Sequence, residues 1–392
     1  MHRRNFRFGF FMLAILIIPT SWVEGSSWGY TIMPYDAMSL RPSVRMLGLA
    51  NCGVALTDIV SFPLNPASLQ MRHPNGSITL TLYPSKTHDE SYDYAQAPEK
   101  FYYGLIYGVP HKWTNGFFCK GIAIGFFHTN QETWDYGRTD EAANTIQSGG
   151  DVFASNNLTV SMQNTGKFTL GIGLTCKRYK QTFKITINGL DQSKSFASYA
   201  FDAGLFAKTS IRLSQDAGKD TSIDGYYFDP SLGLAVHNLG KDFNFIDVWQ
   251  ADPLPRNLRV GCALSFNNMK RNYSVASLTP LIELQRSLVG DGEWTTVYYA
   301  AELSVVELGT IRWGRARDII MDEVALKGWG YSFSTANLKR LIGRDDYENT
   351  ARAQEGILDK IFIEGTYARF NQNGYDTLPG ENYFEITIVY NF

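Results

Sequence analysis

Apolar and polar side chains alternate with a period of two residues through most of the chain after Ser77. In the last eleven residues, the alternate positions from Phe384 to Phe392 are all apolar, and the positions between them are mostly polar. Because successive side chains of a strand point to opposite faces, this segment predicts a strand with one apolar and one wetter face. Ile122 and Leu234 lie in segments with the same alternation. The pattern predicts a chain built mainly of amphipathic β-strands.

About fourteen strands follow from the alternating segments and the turn residues that separate them. The predicted strands are Ser77–Tyr83, Phe101–Val109, Cys119–Thr129, Val152–Gln163, Lys167–Tyr179, Tyr199–Thr209, Ser231–Leu239, Leu258–Phe266, Leu278–Arg286, Thr295–Leu303, Leu308–Arg315, Val324–Ser334, Lys360–Phe370 and Tyr383–Phe392. An even number of antiparallel strands is typical of a single-chain bacterial barrel. The predicted fold class is therefore all-β, a transmembrane antiparallel β-barrel of about 14 strands.

The connections between the predicted strands offer a separate check, because long outer loops alternate with short periplasmic turns in such a barrel. Asn130–Asp151 and Lys180–Ser198 are predicted as long outer loops. Ser210–Pro230 and Thr335–Asp359 are also long, although they fall where short turns belong. Either these two connections are periplasmic extensions, the second with a short helix, or the strand count is wrong by one.

The first 25 residues have the three parts of a secretory signal peptide. Four basic residues come within the first seven positions, the apolar run Phe8–Ile18 follows, and small residues offer a cleavage point after Gly25. The apolar run is too short to span a bilayer as a helix, which takes about 20 residues. We expect residues 1–25 to be removed and the mature chain to begin near Ser26, outside the cytoplasm.

Composition narrows the class of protein. The mean hydropathy is −0.19 with 44% hydrophobic residues, and no second long apolar run follows the signal peptide. A helical membrane protein would need several such runs, so that class is excluded. A soluble protein of 392 residues would usually divide into several domains, but no linker is visible. An edge strand of a soluble β-sandwich is the alternative interpretation of the terminal segment, whereas one closed barrel also explains the missing linkers and the moderate hydropathy.

The sequence contains no recognisable catalytic, cofactor or metal site. Its net charge of −2 gives no sign of a nucleic-acid partner. The four cysteines stand far apart without histidines at ligand spacing, so we predict no metal site and no cofactor. His128 ends a predicted strand without a serine beside it, and we assign it to the membrane boundary. His237 is predicted to point into the lumen. We predict that the protein is not an enzyme.

Residues 26–76 lack the strand pattern and carry two motifs rich in small residues. Arg45–Ala55 follows the pattern R-x-L-G-x-x-x-x-G-x-A, and an Asn-Pro-Ala sequence comes shortly before the first predicted strand. Together they resemble the N-terminal hatch of the FadL-like family of outer-membrane proteins. The resemblance implies a hatch or plug at residues 26–76 inside a barrel formed by residues 77–392. Its implied packing and gating residues are Arg45, Leu47, Gly48, Gly53, Asn65, Pro66 and Ala67.

The resemblance implies one of two functions. FadL-like proteins include importers of long-chain fatty acids and hydrocarbons, so the leading expectation is uptake of hydrophobic small molecules through an apolar lumen pocket. The group also includes the PorV/PorQ proteins of type IX secretion and uncharacterised spirochaete barrels. Two further motifs, Leu232–Gly240 and Leu254–Gly261, favour the PorV-like branch, whose outer loops would bind secreted cargo or the translocon. The expected partner is therefore a hydrophobic ligand or a secreted protein.

The end of the chain resembles the terminal targeting strand of bacterial outer-membrane barrels, because it finishes on an aromatic residue. That resemblance implies recognition of Phe384, Tyr390 and Phe392 by the barrel-assembly machinery. It also implies that the protein resides in the bacterial outer membrane, with the lipid bilayer as its surroundings.

Overall fold

The structure, a computed structural model, describes most of the chain after residue 42. The described residues are 43–57, 61–69, 77–86, 99–109, 121–132, 136–139, 145–164, 168–187, 190–214, 224–240, 243–244, 251–252, 254, 256–270, 273–289, 295–319, 324–335, 361–371 and 381–391. The expected signal peptide, the start of the expected hatch and Phe392 lie outside these residues.

Fourteen long strands form one sheet in the described residues, and four short strands accompany it. The long strands are β1 Ser77–Lys86, β2 Glu99–Val109, β3 Gly121–Glu132, β5 Thr145–Asn164, β6 Phe168–Ile187, β7 Leu190–Thr209, β9 Gly225–Gly240, β12 Asn257–Lys270, β13 Tyr273–Ser287, β14 Thr295–Val305, β15 Gly309–Asp318, β16 Val324–Ser334, β17 Ile361–Asn371 and β18 Glu381–Asn391. The short strands are β4 Tyr136–Thr139, β8 Ile211–Ser214, β10 Phe243–Asn244 and β11 Ala251–Asp252. The helix α1 spans Val44–Gly48, and a 3₁₀ helix spans Pro66–Ser68.

The sheet closes into a ring because the first and last strands are partners. β1 pairs with β18, with Ser77 opposite Asn391. The other long strands pair in chain order, and β9 pairs with both β7 and β12. Each long strand therefore has two antiparallel neighbours. The predicted barrel of fourteen strands is confirmed, and each predicted strand corresponds to one long strand of the structure.

Two segments predicted as long outer loops are largely strand. β4 and the first residues of β5 lie within Asn130–Asp151, and Lys180–Ser198 forms the hairpin that joins β6 to β7. A tilted strand crosses a membrane with about 9–11 residues, whereas β5, β6 and β7 have 20 residues each. After Arg178, the apolar positions of β6 change from even to odd numbers. Beyond the bilayer there is no lipid that requires an apolar outer face, so the apolar side chains can change faces there. Because the alternation is interrupted at this point, the sequence predicted that the strand ends at Tyr179.

The two faces of the barrel wall differ as a membrane barrel requires. Large apolar side chains are exposed on the outer face, among them Leu174 at 66%, Ile311 at 64% and Phe384 at 59%. The inner face carries buried hydroxyl, amide and charged side chains such as those of Thr159 and Glu385. A closed sheet leaves no unpaired edge in lipid, and its apolar outer band meets the hydrocarbon. The chain is therefore a transmembrane β-barrel of the outer-membrane type.

The terminal strand β18 has the two faces that its sequence predicts. Phe384 and Ile386 are exposed on the outer face, whereas Glu385 and Thr387 are buried on the inner face. The short helix expected between β16 and β17 falls outside the described residues. Among the described residues, no helix has both the length and the apolarity needed to cross a membrane.

Candidate functional site

The N-terminal segment comprises residues 43–57 and 61–69, and it folds into two short helices with connecting turns. A serine hydroxyl caps the start of α1. The 3₁₀ helix begins after Asn65, whose side-chain oxygen accepts a hydrogen bond from the backbone N–H of Ala67 at 3.0 Å. Pro66 occupies the first position of this helix. Serine and asparagine caps and a proline in the first turn are typical helix starts. The described segment thus forms helices and turns and contains no strand, in agreement with its lack of strand pattern.

The N-terminal segment contacts the inner wall on several sides of the barrel. α1 packs against β15, β16, β17 and β18, and the 3₁₀ helix packs against β5, β6 and β7. Between the two helices, Val54 and Ala55 approach Gly233 of β9. Almost every described side chain of the segment is buried. Strands that lie far apart around the ring share contacts with this one segment, so the segment lies against the inside of the wall.

Glycine residues stand where the backbone of the segment comes nearest to the wall. A Cβ atom at Gly173 would overlap the backbone of Pro66, and one at Gly328 would overlap the carbonyl oxygen of Leu47. The same close approach to the segment occurs at Gly204, Gly233 and Gly314. Only a residue without a side chain admits such contact. The wall and the segment therefore fit together at the level of the backbone.

Glu283 of β13 is the first of three wall glutamates that hold the N-terminal segment. Its carboxylate accepts hydrogen bonds from the backbone N–H groups of Gly53 at 2.8 Å and Val54 at 2.9 Å. Its other oxygen accepts from Arg259 of β12, which also donates to the carbonyl oxygen of Asn51 at 2.5 Å. Hydrogen bonds to an ionised group are stronger than neutral ones. Glu283 and Arg259 together fix the turn around Gly53.

Glu302 of β14 is the second wall glutamate. It accepts two hydrogen bonds from the guanidinium of Arg45, at 2.7 and 2.9 Å. Arg312 of β15 donates to the same carboxylate at 2.6 Å and to the hydroxyl of Ser332 at 3.0 Å. A bidentate guanidinium–carboxylate pair fixes direction as well as distance. Arg45, which the first sequence motif contains, is thus attached to β14.

Glu385 of β18 is the third wall glutamate. Its carboxyl group accepts a hydrogen bond from the backbone N–H of Val44 at 3.0 Å. The first N–H groups of a helix have no partner within the helix, so a side chain from outside can satisfy them. This bond connects the first turn of α1 to the last strand of the barrel.

Asn65 attaches the second half of the segment to the wall. Its side-chain amide donates to the carbonyl oxygen of Val54 at 2.8 Å and to that of Leu205 in β7 at 3.0 Å. Gln163 of β5 donates to the carbonyl oxygen of Ala67 at 3.0 Å. The Asn-Pro-Ala motif is therefore hydrogen-bonded both to the first half of the segment and to two strands.

An apolar cluster lies between the N-terminal segment and strands β3, β17 and β18. Phe62 meets the ring of Phe127 edge to face, with ring centroids 5.4 Å apart. The other buried members are Val44, Leu47, Leu69, Ala123, Ala368, Phe370, Tyr383 and Val389. The inner wall thus has an apolar patch next to the segment.

A charged cluster lies on another part of the inner wall, on β6, β7 and β9. Lys177 and Asp202 form a buried ion pair at 2.6 Å, and the ring of His237 lies 3.3 Å from the same carboxylate. The hydroxyl of Tyr179 donates to the side-chain oxygen of Asn238 at 2.7 Å. The inward direction of His237 is as predicted. The described inner wall is therefore apolar in one part and charged in another.

The residues of both sequence motifs lie in the N-terminal segment, but they contact different strands of the inner wall. Leu47, Gly48, Gly53, Asn65, Pro66 and Ala67 are buried, and Arg45 is half-buried. Sequence reasoning missed the three wall glutamates and the arginines beside two of them. The sequence does place these charged residues at inward positions of the predicted strands. Because a buried charge needs a partner, this placement was the signal that could have indicated a contact inside the barrel.

Three cysteines within the described residues, Cys52, Cys176 and Cys262, are free thiols. Cys52 is buried in the N-terminal segment, and this burial raises the pKa of its thiol well above its ordinary value. Cys176 is exposed on the outer face. Among the residues that the structure describes, no group of three or more His, Cys, Asp or Glu side chains could hold a metal ion.

The chain matches no protein-family model and no curated protein sequence. Among solved structures it is similar to a Pseudomonas aeruginosa FadL homologue, with 11% identity over 89% of this chain and 98% of that chain and a TM-score of 0.40. The Ralstonia pickettii toluene transporter TbuX matches with 10% identity over 89% and 97% of the two chains and a TM-score of 0.45. The translocator domain of the autotransporter NalP from Neisseria meningitidis matches with 12% identity over 81% and 88% and a TM-score of 0.39. These similarities do not distinguish a transporter from a translocator.

Proposed function

We propose that this protein is an outer-membrane channel for hydrophobic small molecules and that residues 26–76 are its hatch. The observation that carries the proposal is the contact of the N-terminal segment with the inner wall on several sides of the barrel. A barrel of this size encloses a lumen that its own wall side chains do not fill. A solute can then pass only when the segment shifts.

The attachment of the segment suits a hatch that moves. No described residue of the segment pairs with the sheet as a strand. The polar contacts are separate hydrogen bonds, among them those to Glu283, Glu302 and Glu385 and to the backbone of β7. Each such bond contributes only about 0.5–3 kcal/mol net. A few of them can be exchanged for water more readily than a continuous ladder of strand pairing.

The apolar cluster supports a hydrophobic substrate. Phe62 and Phe127 are packed against each other across the boundary between segment and wall. If the segment shifts, this boundary opens and leaves an apolar surface on the wall. Such a surface binds a hydrocarbon chain or ring by removing it from water. The resemblance of the motif residues to the FadL-like hatch supports the same substrate class.

The motif residues have separate roles in this proposal. Arg45 holds the closed position of the hatch, because its ion pair with Glu302 must break when α1 leaves the wall. Gly48 and Gly53 allow close packing of the segment. Asn65, Pro66 and Ala67 form a turn that attaches the second half of the hatch to β5 and β7 by hydrogen bonds. Leu47 packs in the apolar cluster.

The secretion alternative rested on two sequence motifs in β9 and at the start of β12. In the structure, Gly233 and Gly261 of these motifs lie beside Val54 of the N-terminal segment. The small size of these two glycines thus allows close contact with the segment. Uptake and secretion both require that contact. The motifs therefore no longer favour secretion over uptake, and the PorV-like role stays a prediction of the sequence.

Whole-cell uptake tests the proposal, because an intact outer membrane slows the entry of lipophilic compounds. A Gram-negative strain without its own long-chain fatty-acid channel would express the gene and receive labelled oleate, toluene or hexadecane. We expect faster uptake of at least one compound than with the empty vector. Uptake equal to the vector for every compound, with the barrel present in the outer membrane, would rule out the transport role. Recovery of a secreted protein on affinity purification would instead support the secretion role.

A further inference from the structure

A cluster of basic side chains lies on the outer face of the barrel at its distal end, which is the end farther from Ser77 and Asn391. The cluster, called the distal basic patch, consists of Arg315 and Arg317 on β15, Lys327 on β16 and Arg369 on β17. Their inward-facing neighbours along the same strands, Gly314, Ala316, Gly328, Ala368 and Phe370, are buried. The four basic residues therefore point outward, and the three arginines are exposed.

The strand register brings these charges close together. Arg315 and Lys327 are direct partners in the pairing of β15 with β16. Lys327 is opposite Asn371 in the pairing of β16 with β17, so Arg369 is its diagonal neighbour. Directly opposed side chains have Cβ atoms about 4.5–5.5 Å apart, and like charges at that spacing are destabilising. Among the described residues, no carboxylate forms an ion pair with Arg315 or Arg369. Arg315 and Arg369 thus concentrate positive charge on this part of the outer face, which favours an anion.

An aromatic band places the distal basic patch at the membrane boundary. Trp313 and Trp329 are partners in the same pair of strands and are 53% and 46% exposed. Tyr331 and Phe333 continue this exposed row along β16. Tryptophan and tyrosine on an outer face collect at the interface between hydrocarbon and water. The patch begins two residues beyond the tryptophans, about 7 Å along the strand, which is the level of the lipid headgroups.

We propose that the distal basic patch binds the phosphate groups of anionic lipids in the leaflet at the distal end. Guanidinium groups bind phosphate through two parallel hydrogen bonds, and a lysine adds a point charge. Three or four such groups on neighbouring strands match a headgroup that carries two phosphates. The aromatic band next to the patch contacts the start of the acyl chains. The site is on the outer wall and is independent of the hatch and of transport.

The test uses the purified full-length protein in neutral detergent micelles, titrated with fluorescent lipid A, a glycolipid with two phosphates. The variant Arg315→Gln/Lys327→Gln/Arg369→Gln removes three charges of the patch. Each basic group near a membrane surface changes affinity about fivefold, so we expect binding on the order of 100-fold weaker. The matched control, Arg178→Gln/Lys180→Gln/Lys270→Gln, loses the same charge from exposed positions outside the patch. It should bind lipid A with near wild-type affinity.

Equal affinities for the patch variant and the wild type would overturn the proposal. Inorganic phosphate at the same phosphate concentration should not displace lipid A, because it lacks the acyl chains. Displacement by phosphate would mean a site for free anions and would also overturn the assignment to lipid. Heat-modifiable gel mobility shows whether each variant is folded. If the triple variant does not fold, Lys327→Gln alone should bind lipid A about fivefold more weakly, and unchanged affinity in that variant would contradict the proposal.

Discussion

At the scale of single residues, the fit between the N-terminal segment and the wall depends on glycine residues, which have no side chain. Gly173 and Gly328 face the lumen at points where the segment backbone leaves no room for a Cβ atom. The alternation of each predicted strand indicates which glycines face inward, but nothing local shows which of the inward glycines meet the segment. Gly365 lies on the outer face of β17, and no atom lies within 4 Å of the position that a Cβ would take there.

Substitution of Gly173 by alanine should therefore destabilise the protein, because the new methyl group overlaps the backbone of Pro66. Forcing extra volume into a packed site costs about 1–3 kcal/mol. The matched control is Gly365→Ala, which should change stability by less than about 0.5 kcal/mol. The measurement is the urea midpoint of unfolding in detergent or lipid. Equal midpoints for the two variants would show that the segment is not in contact with β6.

At the scale of elements, the alternation of apolar residues was sufficient to predict all fourteen long strands, because lipid outside and a wetter lumen inside impose it on each strand separately. The missing strand pattern and the motifs predicted that residues 26–76 are not wall strands, but they did not predict the two short helices. The attachment of the segment to the wall was not predicted either, because Glu283 and Glu302 lie 230 and 257 residues along the chain from the groups that they bind. Contacts over such separations leave no periodic pattern in the sequence. The start of β5, the end of β6 and the start of β7 were not predicted as strand. They lie beyond the lipid, and it is the lipid that imposes the alternating pattern.

Cys52 offers a probe of the segment. In a variant whose other three cysteines are serine, we expect slow reaction with a maleimide reagent, because burial both shields the Cys52 thiol and raises its pKa. Glu283→Ala removes the acceptor for the backbone N–H groups of Gly53 and Val54 and leaves Arg259 without its carboxylate partner. Loss of one member of a buried ion pair costs about 3–5 kcal/mol. If this loosens the segment, labelling should accelerate at least about 100-fold.

The control for this experiment is Glu307→Ala, since Glu307 is exposed and accepts a backbone hydrogen bond from Ser274 in a turn. Labelling of Cys52 in that variant should remain as slow as in its parent. Rapid labelling of Cys52 in the unaltered segment would mean that the segment does not lie packed against the wall.

At the scale of the whole molecule, the ring depends on its last strand, since β18 is bonded to both β17 and β1. The resemblance to a targeting strand predicts that Phe392→Gln lowers the amount of barrel in the outer membrane severalfold, because the assembly machinery would read a weaker signal. Immunoblots of outer-membrane fractions measure this. Thr387→Ser, a small change on the inner face of the same strand, is the control. Normal abundance and normal heat-modifiable mobility for Phe392→Gln would refute the predicted role.

The pairing of Ser77 with Asn391 also sets an order of events during biogenesis. The seam joins β1 to β18, so the ring cannot be sealed until β18 has been synthesised. The N-terminal segment precedes all the strands that it contacts, so it is made before them and must be enveloped as the seam forms. Biogenesis is thus a wrapping process, in which the strands are laid around a segment that was made before them.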